Sequence, residues 1–426
     1  ATPLETAGAE LDVSRVETLL KRDDIHFLGE MMNYPGVLNR DDSVMEKLNL
    51  ARRFGKPVDG HAPGLRGDEA ATYIAAGITT DHECMTLDEA RYKADQGMNI
   101  LIREGSAARN FDDLHPLLAT HPRQVMFCCD DLHPDELILR HIDDHVRRAV
   151  ALGYDLFNVL AAASINPVRH YKLSAGLLRS GDPADMIVVD NLVDFSIRQT
   201  IINGQCVAEG GRCLVPPRLH ATPNVFRATE KKPEDFMVKA AGDFIRVIEA
   251  LDGQVMTGEL REMAAVADGF YEADPSRDLL KLVLVNRYGD TAPAVGFVKN
   301  FGIRRGALAS SIAHDSHNII AVGADNSSLS RAVNLIIKHR GGLSLVNGDE
   351  DQVLELPVAG LMSVLDGETV GRAYEKVERT AKTMGSSLQA PFMTLSFMAL
   401  LVIPLLKLGD RGLFDGERFQ FTTLSC

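Results

Sequence analysis

Acidic and imidazole side chains follow short apolar runs in the first third of the sequence. The side chains that could do chemistry there are Glu30, His61, His82, Glu83 and Asp130. Carboxylate and imidazole ligands without thiolates suit Zn, Mn or Fe. Such a metal lowers the pKa of a bound water to near ~7, and a carboxylate at the last run can accept that proton and pass it to a leaving group. The pattern predicts a hydrolytic metal centre.

The apolar runs alternate with helical patterns between residues 25 and 165. The predicted strands are 26–32, 56–61, 78–83, 99–105 and 124–131, and the predicted helices are 43–55, 68–77, 86–97, 110–122 and 141–153. Thr86 and Glu89 predict a capping box at the third helix. Strand–helix alternation indicates right-handed crossovers, a parallel sheet and an α/β fold. The carboxyl ends of parallel strands share one face, so the five side chains should meet there.

Each of these residues also has a purely structural interpretation. Glu30 or His82 alone could bond a loop, and Asp130 with Asp131 could cap a helix that begins at Pro134. Four of the five predicted strands end in His or carboxylate, and the remaining one ends in Arg103 and Glu104. This joint pattern favours the metal site over five unrelated caps.

The rest of the chain changes character after residue 173. Residues 174–214 contain short β-rich runs with Asn-Gly and Gly-Gly turns, which are typical of half a small β-sandwich, and three prolines mark 215–224 as a linker. The predicted units are therefore 1–173, 174–214 and 225–426, the last of mixed α/β type. The apolar segment 397–406 is too short to span a bilayer and predicts a buried core element.

The amino-acid composition limits the classes of binding partner that the chain is expected to have. A net charge of -14 argues against nucleic acid and against an anionic membrane surface, and favours a cation or a neutral small molecule. The six cysteines contain no Cys-x-x-Cys pair, so reduced thiols and a cytoplasmic location are expected. A homo-oligomer is also expected.

Several long motifs resemble adenine deaminases of the amidohydrolase superfamily. They are GEMMNYPGV, DGHAPGL, DHE, IREGSAARN, CCDDLHP, GLLRSGDPADMIVV, SIAHDSHNI and GLFDGERF. The resemblance implies a partial (β/α)8 barrel of the metal-dependent amidohydrolase type, part of a β-sandwich and an added C-terminal α/β domain. It implies hydrolytic deamination of adenine to hypoxanthine and ammonia, as in purine salvage. A cyclic amide hydrolase of the same superfamily is the alternative within the enzyme class.

The resemblance also assigns roles to individual residues. Glu30 resembles the carboxylate that bridges two metals, His61 and His82 resemble ligands of the second metal, and Asp130 resembles a ligand that shuttles protons. Glu83 is grouped with Asp130 as catalytic. The divalent metal is expected to be Mn or Fe, with Zn as the alternative. The His-x-His pair of the first metal has no counterpart, so we expect that an N-terminal part is missing and that the chain could be an inactive fragment that binds purine or partners.

Two further motifs are candidates for substrate contacts. Arg103, Glu104 and Ser106 could offer donors and acceptors to a purine, or could form a salt-bridged strand end with Ser106 as a helix cap. In the C-terminal part the candidates are His314, Asp315, His317 and Asn318, which could hold a metal, close over the barrel mouth, or form a structural turn. The resemblance favours an active-site role for this second motif.

Overall fold

The structure is a computed structural model that describes residues 3–106, 108–216, 218 and 221–426. Its first part contains five short strands: β1 (Leu28–Met31), β2 (Val58–Gly60), β3 (Thr80–Asp81), β4 (Asn99–Arg103) and β5 (Val125–Cys128). β1 pairs with β2 and β3–β4–β5 pair in order, always in parallel. The Thr79 amide donates to the Val58 carbonyl at 2.9 Å and connects the two groups. The predicted parallel order is confirmed, and the carboxyl ends share one edge.

Helices cover these strands and connect them. They are α1 (Val13–Leu20), α2 (Tyr34–Leu38), α3 (Asp42–Arg53), α4 (Gly67–Ala75), α5 (Leu87–Asp95), α6 (Phe111–Leu114), α7 (Leu117–Thr120), α8 (Pro134–Leu137), α9 (Ile142–Ala151), α10 (Leu156–Leu160) and α11 (Asn166–His170), with a π-helical turn at Ala161–Ile165. Asp41 caps α3 by accepting from the Val44 amide at 3.1 Å. The single helix predicted over 110–122 breaks into α6 and α7 because Pro116 disfavours helical continuation through the residue before it.

A four-stranded antiparallel meander follows. It contains β6 (Met186–Val189), β7 (Ile197–Ile202), β8 (Gln205–Glu209) and β9 (Arg212–Cys213). Asn203 and Gly204 both have positive φ, 50° and 77°, as a two-residue type I′ hairpin requires. The predicted β-rich region is present, while the domain boundaries remain a prediction. Within the predicted linker, residues 217, 219 and 220 lie outside the described residues.

The C-terminal part is built on an eight-stranded mixed sheet with the order β12-β11-β16-β15-β18-β17-β19-β20. The strands of this part are β10 (Val238–Lys239), β11 (Phe244–Ala250), β12 (Thr257–Met263), β13 (Ala265–Ala267), β14 (Phe270–Glu272), β15 (Leu280–Val285), β16 (Ala294–Lys299), β17 (Ala307–Ser310), β18 (Ile319–Gly323), β19 (Gly342–Asn347), β20 (Glu350–Glu355), β21 (Leu406–Gly409), β22 (Gly412–Asp415) and β23 (Gln420–Phe421). Its helices are α12 (Asn326–His339), α13 (Gly367–Thr383) and α14 (Pro391–Phe397).

Both faces of this sheet are covered. On β15, Leu282 and Leu284 belong to the core that contains residues of α13 and α14. Val283 and Val285 belong to the opposite core with α12. This explains why the strand is a continuous apolar run rather than an alternating one. Residues 397–403 are buried, which confirms the predicted core element. In the part of the chain that the structure describes, none of the helices combines the length and apolar character of a membrane span.

The C-terminal part packs against the loop after β5 through α13. The hydroxyl oxygen of Tyr374 on α13 lies 3.3 Å from His133 Nε2. The same hydroxyl donates a hydrogen bond to the Glu378 carboxyl at 3.2 Å. A side chain at Gly371 would lie 2.8 Å from the Pro134 carbonyl, so glycine permits this close approach. The contact brings the C-terminal part over the carboxyl edge of the parallel strands.

Glu378 gives this contact a pH dependence. Burial raises the pKa of Glu378 from 4.5 to about 7. Between these two pH values the Glu378 carboxyl is therefore protonated in the folded state and ionised in the unfolded state. Stability should therefore fall as pH rises through this window, by about 3 kcal/mol in all. We expect Glu378→Gln to unfold at a higher urea concentration than the parent at pH 8, and at a similar one at pH 4.5. Glu375→Gln, exposed on the same helix, is the control, and an equal gain from it would refute this assignment.

Candidate metal centre

Three predicted ligands converge at the carboxyl edge of the strands. His61 Nδ1 lies 3.0 Å and His82 Nε2 lies 3.2 Å from the same oxygen, Glu30 Oε2. One ligand atom from each residue falls within 4.8 Å of the others. Metal–ligand bonds of about 2.0–2.2 Å place neighbouring ligand atoms about 3 Å apart. The three atoms therefore match one coordination sphere.

Gly60 and Tyr73 set the position of His61. A Cβ at Gly60 would lie 2.2 Å from the Thr80 carbonyl oxygen, so only glycine lets β2 approach β3 this closely. The His61 amide donates to the Tyr73 hydroxyl at 3.0 Å, and that hydroxyl donates to the Met31 carbonyl at 2.8 Å. The ends of β1 and β2 are thus joined beside the cluster.

Gly60→Ala should disturb this arrangement. The added methyl group forces β2 and β3 apart, and overpacking of this kind typically costs about 1–3 kcal/mol. We expect a lower urea midpoint and less bound metal per chain. Gly29→Ala, where a Cβ meets no atom within 4 Å and φ, as at Gly60, is not positive, is the control for adding a methyl group without a steric contact. Normal metal content in Gly60→Ala would contradict the role of this contact.

Asp81 and Lys93 hold the two histidine loops together. Asp81 Oδ1 accepts from the Ala62 amide at 3.2 Å and from the Glu83 amide at 3.0 Å. Lys93 Nζ donates to Asp81 Oδ2 at 2.6 Å and to the Ala62 carbonyl at 2.8 Å. Since Ala62 follows His61 and Glu83 follows His82, this buried pair sets the spacing of the two imidazoles.

A second group of metal-type ligands contains the carboxylate of this pair and consists of Asp81, Cys84 and Glu89. Lys93 Nζ also donates to Glu89 Oε1 at 2.8 Å, so an ammonium already supplies the positive charge there.

The predicted capping box at the start of α5 is only half formed. The Thr86 hydroxyl accepts from the Glu89 amide at 3.3 Å, but the Glu89 carboxylate accepts from Gly64, Met85 and Lys93. Its burial in the lysine network explains this difference.

Glu83 lies beside the two imidazoles. Its Oε1 is 3.5 Å from His61 Nδ1 and 3.4 Å from His82 Nε2, and its Oε2 accepts from Arg103 Nη2 at 3.0 Å. Burial opposes the charge, but Arg103 and His61 hold the pKa of Glu83 well below its usual range. Burial also opposes charge on Glu30, yet the bonds from His61 and His82 lower its pKa.

These pKa directions test whether a cation fits. Burial disfavours the imidazolium form of His82, but Glu30 and Glu83 raise its pKa well above the usual value. The pocket is therefore electronegative: two ionised carboxylates surround the same two imidazole nitrogens. A divalent cation satisfies this donor set better than protons on both rings. The residues fit a metal.

Asp130 lies next to the cluster, two residues after β5. Its Oδ2 accepts from Arg103 Nη1 at 2.9 Å, and its Oδ1 is 3.9 Å from His82 Nε2. Asp130 has a φ of 51°, which turns the chain sharply at the strand end. The cap of α8 is His133 rather than Asp130 or Asp131, so the helix-cap interpretation is wrong.

A cavity of about 290 Å³ opens above these residues. Its floor is the cluster with Arg103 and Asp130, and its roof comes from the C-terminal part. The roof residues are Val255, His314, Asp315, His317, Phe397 and Leu400. His314 Nε2 lies 3.9 Å from Asp131 Oδ2, across the boundary between the two parts. The segment that contains His314 therefore lies over the carboxyl edge of the parallel strands, and its role stays a prediction.

The His314–His317 pair does not form a ligand group of its own. The two rings are 6.1 Å apart, and the ligand groups found among the described residues contain neither histidine. Burial, with His314, lowers the pKa of His317 to about 4, so its imidazole is neutral. Asn318 lies outside the cavity, where it accepts from the Arg287 amide at 3.1 Å.

Glu104 and Ser106 also lie away from the cavity. The Glu104 carboxylate accepts from the Phe111 amide at 3.2 Å and pairs with Arg148 of α9 at 2.5 Å. The Ser106 hydroxyl accepts from the His133 amide at 2.8 Å, and the helix expected to begin there begins at Phe111. Both side chains fix loops in this structure, and their predicted substrate contacts stay predictions.

The sequence interpretation missed several residues that shape the site. Asp81 directly precedes His82, and Lys93 follows Glu89 by one helical turn, so an acid beside the ligand and an i,i+4 pair were visible signals. The apolar walls Met32, Val255, Phe397 and Leu400 carried no such signal.

Comparisons with known proteins identify the family of this chain. The model of the adenine deaminase C-terminal domain matches residues 254–420, and that of the amidohydrolase family matches residues 5–207. An adenine deaminase of Salinibacter ruber is 53% identical over 423 residues, which cover 99% of this chain and 77% of the relative. An adenine deaminase of Methanosarcina mazei is 50% identical over 439 residues, covering 100% of this chain and 79% of the relative.

Among solved structures, 5-methylcytosine deaminase from Klebsiella pneumoniae matches with 20% identity and a TM-score of 0.34, covering 51% of this chain and 64% of that chain. The sequence relatives establish the family by their identity and coverage. The chain belongs to the adenine deaminase family of the amidohydrolases.

Proposed function

We propose that the chain hydrolyses adenine to hypoxanthine and ammonia in the cavity above Glu30, His61 and His82. The observation that carries this proposal is the convergence of these three ligand atoms beside Asp130, in a cavity roofed by residues of the C-terminal part. A cavity of about 150 Å³ holds benzene, so the 290 Å³ here accommodates a bicyclic purine.

Glu30, His61 and His82 would hold a divalent cation, which we propose to be Mn or Fe, with Zn as the alternative. Such an ion acidifies water to near-neutral pKa and stabilises developing negative charge. The chemistry of the donor set supports this assignment, since the ligand atoms present are a carboxylate oxygen and two imidazole nitrogens. A two-metal centre, as the family resemblance implies, would need further ligands.

Asp130 moves the proton. Its Oδ2 is held by Arg103 while Oδ1 faces the imidazoles, so one oxygen remains free to take a proton from the attacking water. The same oxygen then gives the proton to the departing amino group. Glu83 fixes the guanidinium of Arg103 from the other side. We therefore propose that Arg103 orients Asp130 and that Glu83 supports both, rather than that Arg103 contacts the purine.

The roof binds the purine and excludes water. Phe397, Leu400 and Met32 offer apolar contact to the ring faces. His314 and Asp315 contribute polar edges, and the neutral His317 presents an Nδ1 that has no hydrogen-bond partner within the described ranges. Water exclusion strengthens the electrostatic interactions at the reacting carbon.

Ammonia release from adenine, with Mn²⁺ or Fe²⁺ and then with chelator, tests this function. We expect release that requires metal and about one ion or more per chain. Dihydrouracil and hydantoin test the alternative of a cyclic amide hydrolase, and turnover of these alone would replace the proposed substrate. Near-zero metal with no ammonia would support a chain that binds purine without activity.

We further place the chain in the cytoplasm as a homo-oligomer, with no nucleic-acid or membrane partner. The net charge of -14 argues against nucleic-acid and anionic membrane partners, and the free cysteines favour the cytoplasm. Light scattering of the purified chain tests the oligomeric state, and a mass of one chain would contradict it.

A further inference from the structure

A second cavity, of about 430 Å³, adjoins the catalytic one. It lies between the loop after β5 and the C-terminal part. Asp130, Asp131 and His314 line both cavities, so the two spaces meet at the proton carrier. Most of the other walls are apolar: Leu343, Leu354, Leu356, Val370, Phe392 and Met393.

We propose that this cavity receives the substituent of an N6-substituted adenine, so that the enzyme also releases primary alkyl or arylmethyl amines. The inference rests on the proposed function, because it uses the same attack and the same proton carrier. Asp130 must lie beside the leaving nitrogen to protonate it. Since Asp130 also borders the apolar cavity, a group attached to that nitrogen extends into it.

The chemistry of the walls matches such a group. The purine ring and the residues that activate water occupy the smaller, polar cavity. The larger cavity offers mainly aliphatic and aromatic contacts. Burial lowers the pKa of His133, a polar residue of this wall, to about 3, so its imidazole is uncharged. The volume exceeds the ~150 Å³ that holds benzene, which leaves room for a phenyl ring and a methylene group.

The reaction balances without any added reactant. The oxygen of water forms a bond to C6, the C6–N6 bond breaks, and Asp130 carries a water proton to the leaving nitrogen. N6-benzyladenine and water therefore give hypoxanthine and benzylamine, as adenine and water give hypoxanthine and ammonia.

The test uses the full chain supplied with Mn²⁺ and compares adenine, N6-methyladenine and N6-benzyladenine by chromatography of the purine and amine products. Val370→Phe adds a ring inside the cavity, and Val364→Phe adds the same ring at an exposed position outside the residues that line it. We expect Val370→Phe to lower kcat/KM for N6-benzyladenine at least tenfold and for adenine less than twofold, while Val364→Phe changes neither.

Absence of benzylamine while adenine is deaminated would overturn the inference and leave the proposed function intact. Equal losses on both substrates in a folded Val370→Phe chain would also overturn it. If Val370→Phe does not fold, Leu365→Trp at the cavity mouth takes its place.

Calorimetric binding separates the two failures. If adenine is not deaminated at all, the proposed function fails, and the cavity is then tested by affinity alone. We expect N6-benzyladenine to bind at least tenfold more tightly than adenine, and Val370→Phe to remove this difference. Equal affinities of the parent chain for both purines would contradict the cavity assignment.

Discussion

Asp130→Asn should lower kcat for adenine by about 10³-fold, because general acid–base catalysis typically contributes about 10²–10⁴. An amide retains the size of the carboxylate and can still contact Arg103, but it cannot carry the proton between water and the leaving nitrogen. The bound metal should remain, since the ligand group Glu30, His61 and His82 does not include Asp130. Ammonia release and metal content per chain are the two measurements.

Asp131→Asn is the matched control for this experiment. Asp131 is the adjacent carboxylate, but it faces His314 at 3.9 Å and makes no ion pair with Arg103 within the described residues. We expect a loss in kcat of less than about tenfold, well below the acid–base contribution. A larger loss from Asp131→Asn than from Asp130→Asn would show that the proton carrier has been assigned to the wrong residue.

Lys93→Met should lower the free energy of unfolding by about 3–5 kcal/mol, as breaking a buried ion pair does. The substitution leaves the Asp81 and Glu89 carboxylates buried together without their shared ammonium. It also frees the Ala62 carbonyl, so the distance between the histidine loops is no longer fixed. Urea unfolding measures the first effect, and metal titration, which should show weaker binding, measures the second.

Lys21→Met provides a control with the same helical spacing. Lys21 pairs with Glu17 at 3.1 Å on the surface, and removing an exposed pair should cost less than about 1 kcal/mol. Combining Lys93→Met with Glu89→Gln removes one stranded charge and should restore part of the lost stability. If the double variant is no more stable than Lys93→Met, the loss has another cause.

The arrangement of strands and ligands was predictable because it depends on local patterns. Short apolar runs alternate with helical periodicity, and parallel strands place their ends together. The site residues could therefore be predicted from their positions after successive apolar runs; they are Glu30, His61, His82 and Asp130. The domain boundaries and the roles of these residues in catalysis stay predictions.

Other features depend on partners that are distant in sequence. Glu104 follows a strand as His82 does, but Arg148, 44 positions later, draws its carboxylate away from the cavity. Ser106 is likewise held by the His133 amide. The spacing of His314 and His317 permits a metal site or a roof equally well. Only the packing of the C-terminal sheet over the strand ends distinguishes the two.

The roof at His314 has a consequence for the order in which the site is made. Asp130 and His314 are 184 positions apart, and synthesis at about 5–20 residues per second needs roughly 10–40 s to cover that distance. The proposed cation ligands thus leave the ribosome well before the roof residues do. During this interval the carboxylate–imidazole cluster lacks its roof, so we expect the proposed cation to reach its ligands from the surrounding solution before the C-terminal part is in place.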